Sequence, residues 1–439
     1  MPTQKSNTFT LGRKWQETLS DLVIEAEQLA QSSQRTRKMS VEQLVQTLVL
    51  GCLEPEAVSL RLWSEVAAEL GCEITPSSLD ERLTKRTVML LYEVLQASIK
   101  HQVCVSDLPV EHLKTLSRLV LYDSTGLTLP PILKHAFRAS RETGLGHMKV
   151  QVGYDYLNGQ LQSLSINEGI APDQRDAGLL QQAVEQALLI FDLGYFDQET
   201  LAAITEQNAY FVTRYQSQTA LYDLMTGETV DLVKQLQSTQ VDCFEAHYHL
   251  GLNAKLPVRL VARRVAAQEA EKRRRRVKRE AQKGRYTASK RSLMLCDWEI
   301  VISNLPTMWT AQQILDLYRV RWQIELLFKA WKSYLDVAVF GYWRAERVLC
   351  QLFASLIGAV LCQTSFAIVR FNTHEASLFK TVRMIRRQVI HLFKIIRHNW
   401  RGLYGWARNL YQVLLKFAQQ QNLETAPSTL RRLINWGLT

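Results

Sequence analysis

The segment YRVRWQIELLFKAWK, residues 318–332, carries a helical pattern in which the polar side chains share one side. At about 100° per residue, Tyr318, Arg321, Glu325 and Lys332 fall within about 60° of one another around a helix. Most of the remaining circumference is apolar, which predicts a largely buried helix. The apolar positions are Leu317, Trp322, Ile324, Leu326, Leu327 and Phe328. Burying this stripe is costly unless its groups have partners, so it is either a solvated row of two ion pairs or part of a functional site.

Two apolar segments upstream are predicted to be strands that end at an aspartate. SRLVLYDSTGL, residues 117–127, places Asp123 before small turn-forming residues, and ALLIFDLGYF, residues 187–196, does the same with Asp192. Polar side chains at strand ends often become functional because the sheet fixes their position. As an alternative, each aspartate is a turn or helix-capping residue.

The surrounding segments predict an α/β domain with a mixed sheet. Residues 147–166 alternate around Asn158-Gly159, which is typical of a β-hairpin. Helices are predicted at AGLLQQAVEQ (177–186) and DQETLAAITEQ (197–207), and a strand at AYFVTR (209–214). A β-rich insertion is predicted at residues 215–304, with strands ETVDLVKQL (228–236), QVDCFEAHYHL (240–250), KLPVRLVARRV (255–265) and DWEIVIS (297–303).

Both ends of the chain are predicted to be helical. Ser40 followed by Gln43 is a capping-box pattern at the start of one N-terminal helix. One long helix is predicted at residues 310–337, and the chain after Trp343 reads as helical throughout. The predicted organisation is a helical N-terminal domain (1–112), the first part of an α/β core (113–214), the insertion (215–304), a core helix (305–343) and a helical C-terminal region (344–439).

Length, cysteine usage and hydropathy limit the class of protein. At 439 residues the chain is long enough for several domains. Its seven cysteines include no C-x-x-C pair, which argues for a reducing compartment and against a disulfide framework or a zinc site. The N-terminus lacks the apolar region of a signal peptide. Val348–Val369 is apolar enough to suggest a membrane span, but Gln351, Ser355 and Gln363 favour a buried core helix.

The net charge of +11 is concentrated in one segment. Val261–Arg291 contains 13 Lys or Arg residues against three Glu, and the rest of the chain is nearly neutral. This concentration favours a polyanion-binding element, with a solvated arm as the alternative. Its densest part, KRRRRVKR at 272–279, includes Arg273, Arg274, Arg275, Arg276, Lys278 and Arg279. A second segment, residues 381–401, has six Lys or Arg residues and no acids.

The three carboxylates Asp123, Asp192 and Glu325 could converge on a metal ion. Converged carboxylates repel one another and take up protons unless a cation neutralises them. Oxygen ligands suit Mg²⁺ or Mn²⁺. Two such ions can activate a water or a 3′-hydroxyl group and stabilise the leaving oxygen in phosphoryl transfer. The other polar residues of the 318–332 stripe would then face phosphates.

The spacing Tyr-x₂-Arg-x₃-Glu-x₆-Lys in residues 318–332 resembles the signature of DDE transposases of the insertion-sequence-four family. YDSTG and FDLGYF resemble the settings of this family's first and second aspartates, although Ser124 stands where the first motif often has Gly. The β-rich insertion before the glutamate is also similar. The resemblance covers about residues 115–370. It implies a ribonuclease-H-like catalytic core in which Asp123, Asp192 and Glu325 bind the metal.

The resemblance further implies contacts with double-stranded DNA. Tyr318, Arg321 and Lys332 belong to the signature itself. Arg214 stands where the family has a DNA-contacting arginine, Trp298 where a tryptophan receives a flipped base, and Trp322 where an aromatic residue lies next to the DNA. The alternative for these last three is a surface arginine and two buried core tryptophans.

The function implied by the resemblance is cut-and-paste transposition in the bacterial cytoplasm, at the nucleoid. The chain would bind inverted repeats, free a 3′-hydroxyl group and insert the element into target DNA, as a homodimer that holds two ends. One alternative is a metal-dependent nuclease with the same core, against which the Tyr-Arg-Glu-Lys signature argues. The other is a domesticated DNA-binding protein, against which the intact carboxylate triad argues. Short inverted repeats and a target duplication in the flanking DNA would favour the transposase.

Overall fold

The computed structural model describes residues 4–29, 38–102, 111–139, 144–253, 255–341, 343–373, 376–420, 429–434 and 436. Its strands are β1 (Arg118–Leu129), β2 (Gly146–Asp155), β3 (Gln160–Glu168), β4 (Ala187–Phe191), β5 (Tyr210–Arg214), β6 (Leu221–Asp223), β7 (Cys243–Leu250), β8 (Leu256–Arg264) and β9 (Trp298–Ser303).

The α-helices before the last strand are α1 (Gln4–Gln16), α2 (Leu22–Leu29), α3 (Val41–Leu53), α4 (Leu60–Glu69), α5 (Pro76–Asp80), α6 (Lys85–Lys100), α7 (Gly178–Gln181), α8 (Gln198–Glu206), α9 (Leu232–Ser238), α10 (Ala267–Lys283) and α11 (Lys290–Leu295). Those after it are α12 (Ala311–Val320), α13 (Trp322–Tyr334), α14 (Ala345–Thr373), α15 (Leu378–Arg397), α16 (Leu403–Phe417) and α17 (Thr429–Ile434).

The strands form one mixed sheet of nine strands in the order β3-β2-β1-β4-β5-β9-β8-β7-β6. Strands β1, β4 and β5 run parallel to one another. Strands β2 and β3 form the predicted antiparallel hairpin, and the strands from β9 to β6 are also joined by antiparallel pairs. The predicted α/β class with a mixed sheet is therefore confirmed.

Contacts divide the chain into two compact units, each assembled from three segments. The first unit comprises Met1–Pro109, Ser124–Ala171 and Gln323–Asn435. The second unit comprises Val110–Asp123, Pro172–Trp322 and Trp436–Thr439. The five-part organisation predicted from the sequence stays a prediction.

Helix α14 lies at the centre of the first unit, where it packs against α1, α3, α6, α15 and α16. By length and composition, Ala345–Arg370 could cross a membrane, but its most apolar window is entirely buried within the protein. The amide of Gln363 donates to the carbonyl of Gly159 in the hairpin turn at 3.0 Å. Gly159 has a φ of +70°, and a Cβ there would come within 2.8 Å of Ala367. The predicted buried core helix is thus confirmed, and Gln363 ties it to the hairpin.

The core of the second unit lies on the sheet. Phe191, Phe211, Leu260 and Ile302 are fully buried in one cluster. Helices α8 and α12 pack against strands of this sheet, with α12 contacting β5, β7, β8 and β9. Thr310 and Gln313 form a capping box at the start of α12, which fixes where that helix begins.

The structure corrects three local predictions. Strand β1 does not end at Asp123 but continues to Leu129, because Thr125, Leu127 and Leu129 keep alternate side chains buried. The segment ETVDLVKQL is helical rather than extended from Leu232 onward, since the Asp231 carboxylate accepts from two backbone amides and starts α9. The predicted helix at 177–186 is only the four-residue α7.

Two further corrections concern longer helices. The insertion is not purely β-rich, because its basic run forms the 17-residue helix α10. The predicted helix 310–337 is two helices, α12 and α13, which are separated at Arg321. The backbone amide of Arg321 bonds to the carbonyl of Tyr318, three residues back, at 3.1 Å. This tightening of the last turn ends α12.

Candidate active site

Asp123 and Asp192 occupy equivalent positions on two neighbouring parallel strands. The register between β1 and β4 ends at the pair Tyr122↔Phe191, and each aspartate is the next residue. Neighbouring strands lie about 4.8 Å apart, so the two carboxylates stand next to each other. Asp192 is at the predicted end of its strand. Asp123 is at the end of the ladder to β4, although its strand continues.

Two residues of the last turn of α12 reach these carboxylates. The Tyr318 hydroxyl donates to Asp192 Oδ1 at 3.2 Å, and Arg321 Nη1 donates to Asp123 Oδ2 at the same distance. Residues three apart on a helix are separated by about 5–6 Å, which matches the spacing of adjacent strands. Tyr318 and Arg321, the first two residues of the signature, therefore each bond to one of the two aspartates, and all four residues belong to the second unit.

The ionisation of Tyr318 is suppressed in this position. Burial, and next the negative charge of Asp192, raise the pKa of the phenol well above its usual range. Tyr318 therefore remains a protonated donor to the Asp192 carboxylate. Arg214, the exposed last residue of β5, lies with its guanidinium 5.8 Å from the centre of the Tyr318 ring. Asp123, where the ladder from β1 to β4 ends, thus lies beside Asp192 after β4, and Arg214 ends the next parallel strand, β5.

A second set of contacts holds the strand next to Asp123. The hydroxyl of Tyr122, the residue before it, donates to Asp176, and the Tyr122 ring makes an edge-on contact with Tyr195 at 5.3 Å between centroids. Gly178 leaves room for this pair, since a Cβ there would lie 2.2 Å from the Tyr122 hydroxyl oxygen. Sequence reasoning missed Asp176 and Gly178 because neither belongs to a local motif.

The remaining two signature residues lie on α13, in the first unit. Glu325 is half-buried in the first turn of the helix, where the helix dipole favours an acid. Lys332 is also half-buried, and burial lowers its pKa. Trp322 is 56% exposed, so its predicted place on the buried face was wrong. The angular position on the buried face holds only for one regular helix, whereas Trp322 is the first residue of a second helix, α13.

Trp298 is buried at the start of β9, and Arg264 covers its ring. The Arg264 guanidinium lies 4.5 Å from the ring centroid, and the two residues are directly opposite each other in the β8–β9 register. Both line a cavity of about 210 Å³ together with Val233, Leu236, Gln237, Met294, Leu295 and Asp297. Trp298 therefore packs in the core, and Arg264 covers one face of its ring.

Helix α10 divides its basic residues between two sides. Arg273 donates to the Trp298 carbonyl at 3.1 Å, and Arg274 pairs with Asp297. These two arginines therefore hold α10 against the start of β9. Arg275 and Arg276 are mostly exposed and, among the described residues, pair only with glutamates of their own helix. Lys278 and Arg279 are exposed as well. The sequence could not separate the two sets, because all six are equally basic.

Among the residues that the structure describes, no cluster of three or more His, Cys, Asp or Glu side chains could hold a metal ion. The pair Asp123 and Asp192 nevertheless offers adjacent carboxylate oxygens, which are the donors that Mg²⁺ and Mn²⁺ prefer. In this structure Arg321 and Tyr318 bond to that pair.

Residues 114–361 match the family model described as the transposase DDE domain, and this range contains all three candidate carboxylates and the insertion. The chain belongs to this family of DDE transposases. It is 27% identical over 411 residues to the IS231B transposase of Bacillus thuringiensis subsp. berliner, covering 87% of this chain and 86% of that protein. It is 25% identical over 369 residues to the IS231F transposase of Bacillus thuringiensis subsp. israelensis, covering 77% and 76%. The resemblance to the insertion-sequence-four group is thereby confirmed.

Among solved structures, the chain is similar to the piggyBac transposase in a synaptic complex with hairpin DNA. The TM-score is 0.44 at 11% identity, covering 93% of this chain and 85% of that one. A likeness this distant carries no argument about the site of the present family member.

Proposed function

We propose that the chain is a cut-and-paste DNA transposase that binds inverted-repeat ends, hydrolyses one strand and uses the freed 3′-hydroxyl group for strand transfer. The observation that carries this proposal is the pairing of Asp123 with Arg321 and of Asp192 with Tyr318 where the ladder between two parallel strands ends. Family membership supports the same reaction class. The order β3-β2-β1-β4-β5, a hairpin beside three parallel strands, supports a ribonuclease-H-like core.

The proposed catalytic residues are Asp123, Asp192 and Glu325, which would hold Mg²⁺ or Mn²⁺. The adjacent carboxylates of the two aspartates support the first part of this assignment, and the sequence signature supports Glu325. The bound metal would supply an activated oxygen nucleophile and stabilise the leaving oxygen. Tyr318 keeps one Asp192 oxygen oriented through its hydrogen bond. Arg321 balances the Asp123 charge and would turn to a phosphate when DNA binds.

The proposed DNA contacts at the end of β5 and in the 318–332 segment are Arg214, Tyr318, Arg321, Lys332 and Trp322. The exposure of Arg214 and Trp322 supports these assignments, because both side chains are accessible without any rearrangement. In the insertion, the exposed residues Arg275, Arg276, Lys278 and Arg279 would contact phosphates. For Arg273 and Arg274 we propose DNA contact only after loss of their bonds to the Trp298 carbonyl and to Asp297.

A hairpin intermediate is the proposed route to second-strand cleavage. It requires a duplex to bend sharply, and removal of one base from the stack relieves that bend. Trp298 offers a ring face for the extruded base, which would replace the guanidinium of Arg264. The neighbouring cavity of about 210 Å³ supports this assignment.

The proposed partners are double-stranded transposon ends and target DNA, held by a homodimer in the synaptic complex at the nucleoid of the bacterial cytoplasm. The test uses a labelled duplex that carries one inverted repeat and its flanking DNA, incubated with the protein and Mg²⁺ or with EDTA. A nick at the element boundary with a free 3′-hydroxyl group, followed by joined products, is expected only with Mg²⁺. Cleavage without joining would favour the nuclease, and specific binding without cleavage would favour a non-catalytic DNA-binding protein.

A further inference from the structure

Helix α15 in the first unit presents an exposed cationic face that the proposed reaction does not use. We define the α15 basic face as Arg383, Arg387, Lys394 and Arg397, all of which are exposed. At about 100° per residue they fall within about 80° of one another around the helix. The helix contains six Lys or Arg residues and no Asp or Glu. The α15 basic face is therefore a positive stripe, interrupted between Arg387 and Lys394 by the exposed Ile390.

The opposite side of α15 is fixed in the core, so the position of the stripe is rigid. Its buried residues are Thr381, Val382, Ile385, Val389, Leu392, Phe393 and Ile396. Arg386 points to this side, where it donates to the carbonyls of Leu53 at 3.2 Å and Glu54 at 2.6 Å and pairs with Asp336 at 3.2 Å. Arg386 thus performs a structural role and does not belong to the basic face.

The stripe differs from the basic helix α10 in its charge balance. In α10, the glutamates Glu269, Glu271 and Glu280 pair with arginines of the same helix. Among the described residues, no ion pair involves any member of the α15 basic face. Helix α16, which packs along α15, contributes Arg408 and Lys416 and no acid. Within its own helix the α15 basic face therefore has no acidic residue to pair with, whereas α10 carries three glutamates.

We propose that the α15 basic face is a second DNA surface, which binds the phosphate backbone of duplex DNA without regard to sequence. Arg383 and Arg397 are about 21 Å apart along the helix axis, at about 1.5 Å per residue. This length matches about six base pairs of duplex at about 3.4 Å each. Flexible cations without acid partners can release the counterions of phosphates at no cost in internal ion pairs. The inference rests on the proposed function, because it takes DNA as the polyanion that the protein meets.

The experiment measures binding to a 30-base-pair duplex without inverted repeats by fluorescence anisotropy between 50 and 300 mM salt. The variant replaces all four members of the α15 basic face by Gln. Each lost phosphate contact lowers the slope of log affinity against log salt by about 0.9, so a total loss of up to about 3.6 is expected for four contacts. The matched control replaces the exposed cations Arg61, Lys85, Arg138 and Lys234 by Gln, which removes the same net charge.

A slope unchanged in the α15 variant, or lowered equally in the control, overturns the proposal. A second variant combines Arg383→Lys, Arg387→Lys and Arg397→Lys. It keeps the charge, and binding close to wild type is expected. Marked loss of binding in this Lys variant would also overturn the proposal, because a phosphate-tracking surface needs only charge. Failure of the proposed function is a different result. In that case the wild type would bind repeat-containing DNA but neither nick nor join it.

Discussion

Asp123 and Asp192 stand side by side because each is the first residue beyond the Tyr122↔Phe191 pair of two parallel strands. Their separation is set by the backbone ladder rather than by either side chain. Replacing either carboxylate by its amide should therefore leave the sheet intact and change only the charge and the metal affinity.

We predict that Asp123→Asn, Asp192→Asn and Glu325→Gln each reduce Mg²⁺-dependent strand cleavage by more than about a thousandfold. Binding to end DNA should remain within about threefold of wild type, because phosphate contacts supply most of the affinity. Single-turnover cleavage and anisotropy measure the two effects separately. A variant that cleaves within about tenfold of wild type would remove that residue from the proposed triad.

Tyr318→Phe tests the hydrogen bond to Asp192. Loss of this bond should lower the free energy of unfolding by about 1 kcal/mol and slow cleavage about tenfold, because one Asp192 oxygen loses its orientation. Tyr248→Phe is the matched control, since Tyr248 is a buried tyrosine of the same unit whose hydroxyl donates to Gln235. Equal rates for the two variants would show that the Tyr318 hydroxyl does not serve the carboxylate.

Gly178→Ala tests the contacts of Tyr122, the residue before Asp123. The new Cβ would lie 2.2 Å from the Tyr122 hydroxyl oxygen and 3.0 Å from Asp176 Oδ2, and the buried Tyr122 ring has little room to move. We expect a loss of about 1–3 kcal/mol in unfolding free energy, together with slower cleavage. Gly405→Ala is the control, because nothing lies within 4 Å of its Cβ position in α16 and a small gain in stability is expected. Denaturant unfolding of both variants decides the comparison.

The two sides of α10 should respond differently to substitution. Replacing Arg275, Arg276 and Arg279 by Gln should lower the salt slope of DNA binding by about 0.9 per lost contact and leave the thermal unfolding temperature unchanged. Replacing Arg273 and Arg274 should instead lower the unfolding temperature by about 2–4 °C, because the bonds to the Trp298 carbonyl and Asp297 are lost. An altered sequence preference at an unchanged slope would indicate that the exposed side reads bases.

Trp298 and Arg264 should act together in the hairpin step. Trp298→Ala should nick normally but form hairpin poorly, and an abasic site at the extruded position should partly restore hairpin formation. Arg264→Ala should accelerate hairpin formation, since it uncovers the ring. Because Trp298 is buried, Leu260→Ala in the same core serves as the control for packing damage. Equal loss of nicking and hairpin formation in Trp298→Ala, without abasic rescue, would assign the residue to the core alone.

The elements that the sequence predicted well are those with a strong local pattern. The hairpin at Asn158-Gly159, the apolar strand before Asp192, the capping box at Ser40 and the buried helix around Gln363 all follow from periodicity and turn chemistry within a few residues. The assignment of Asp123 and Asp192 to neighbouring strands also follows, once β1 and β4 are recognised as parallel.

The features that the sequence did not predict depend on contacts distant in the chain. The exposure of Trp322 follows from the break at Arg321, which a helical wheel does not contain. The bond from Tyr122 to Asp176 joins residues 54 positions apart. Likewise, the division of α10 is decided by Asp297 and the Trp298 carbonyl, which lie at the start of β9, the strand paired with β8.

The packing of α14 against α3 and α6 has a consequence for synthesis on the ribosome. Helix α6 ends at Lys100, whereas α14 begins at Ala345. At a translation rate of about 5–20 residues per second, the early helices wait on the order of 10–50 s for the helix that covers them. During this interval their apolar faces are available to chaperones and to other nascent chains. Any shortened product that stops before α14 would keep those faces uncovered, so the cell should clear it rather than accumulate it.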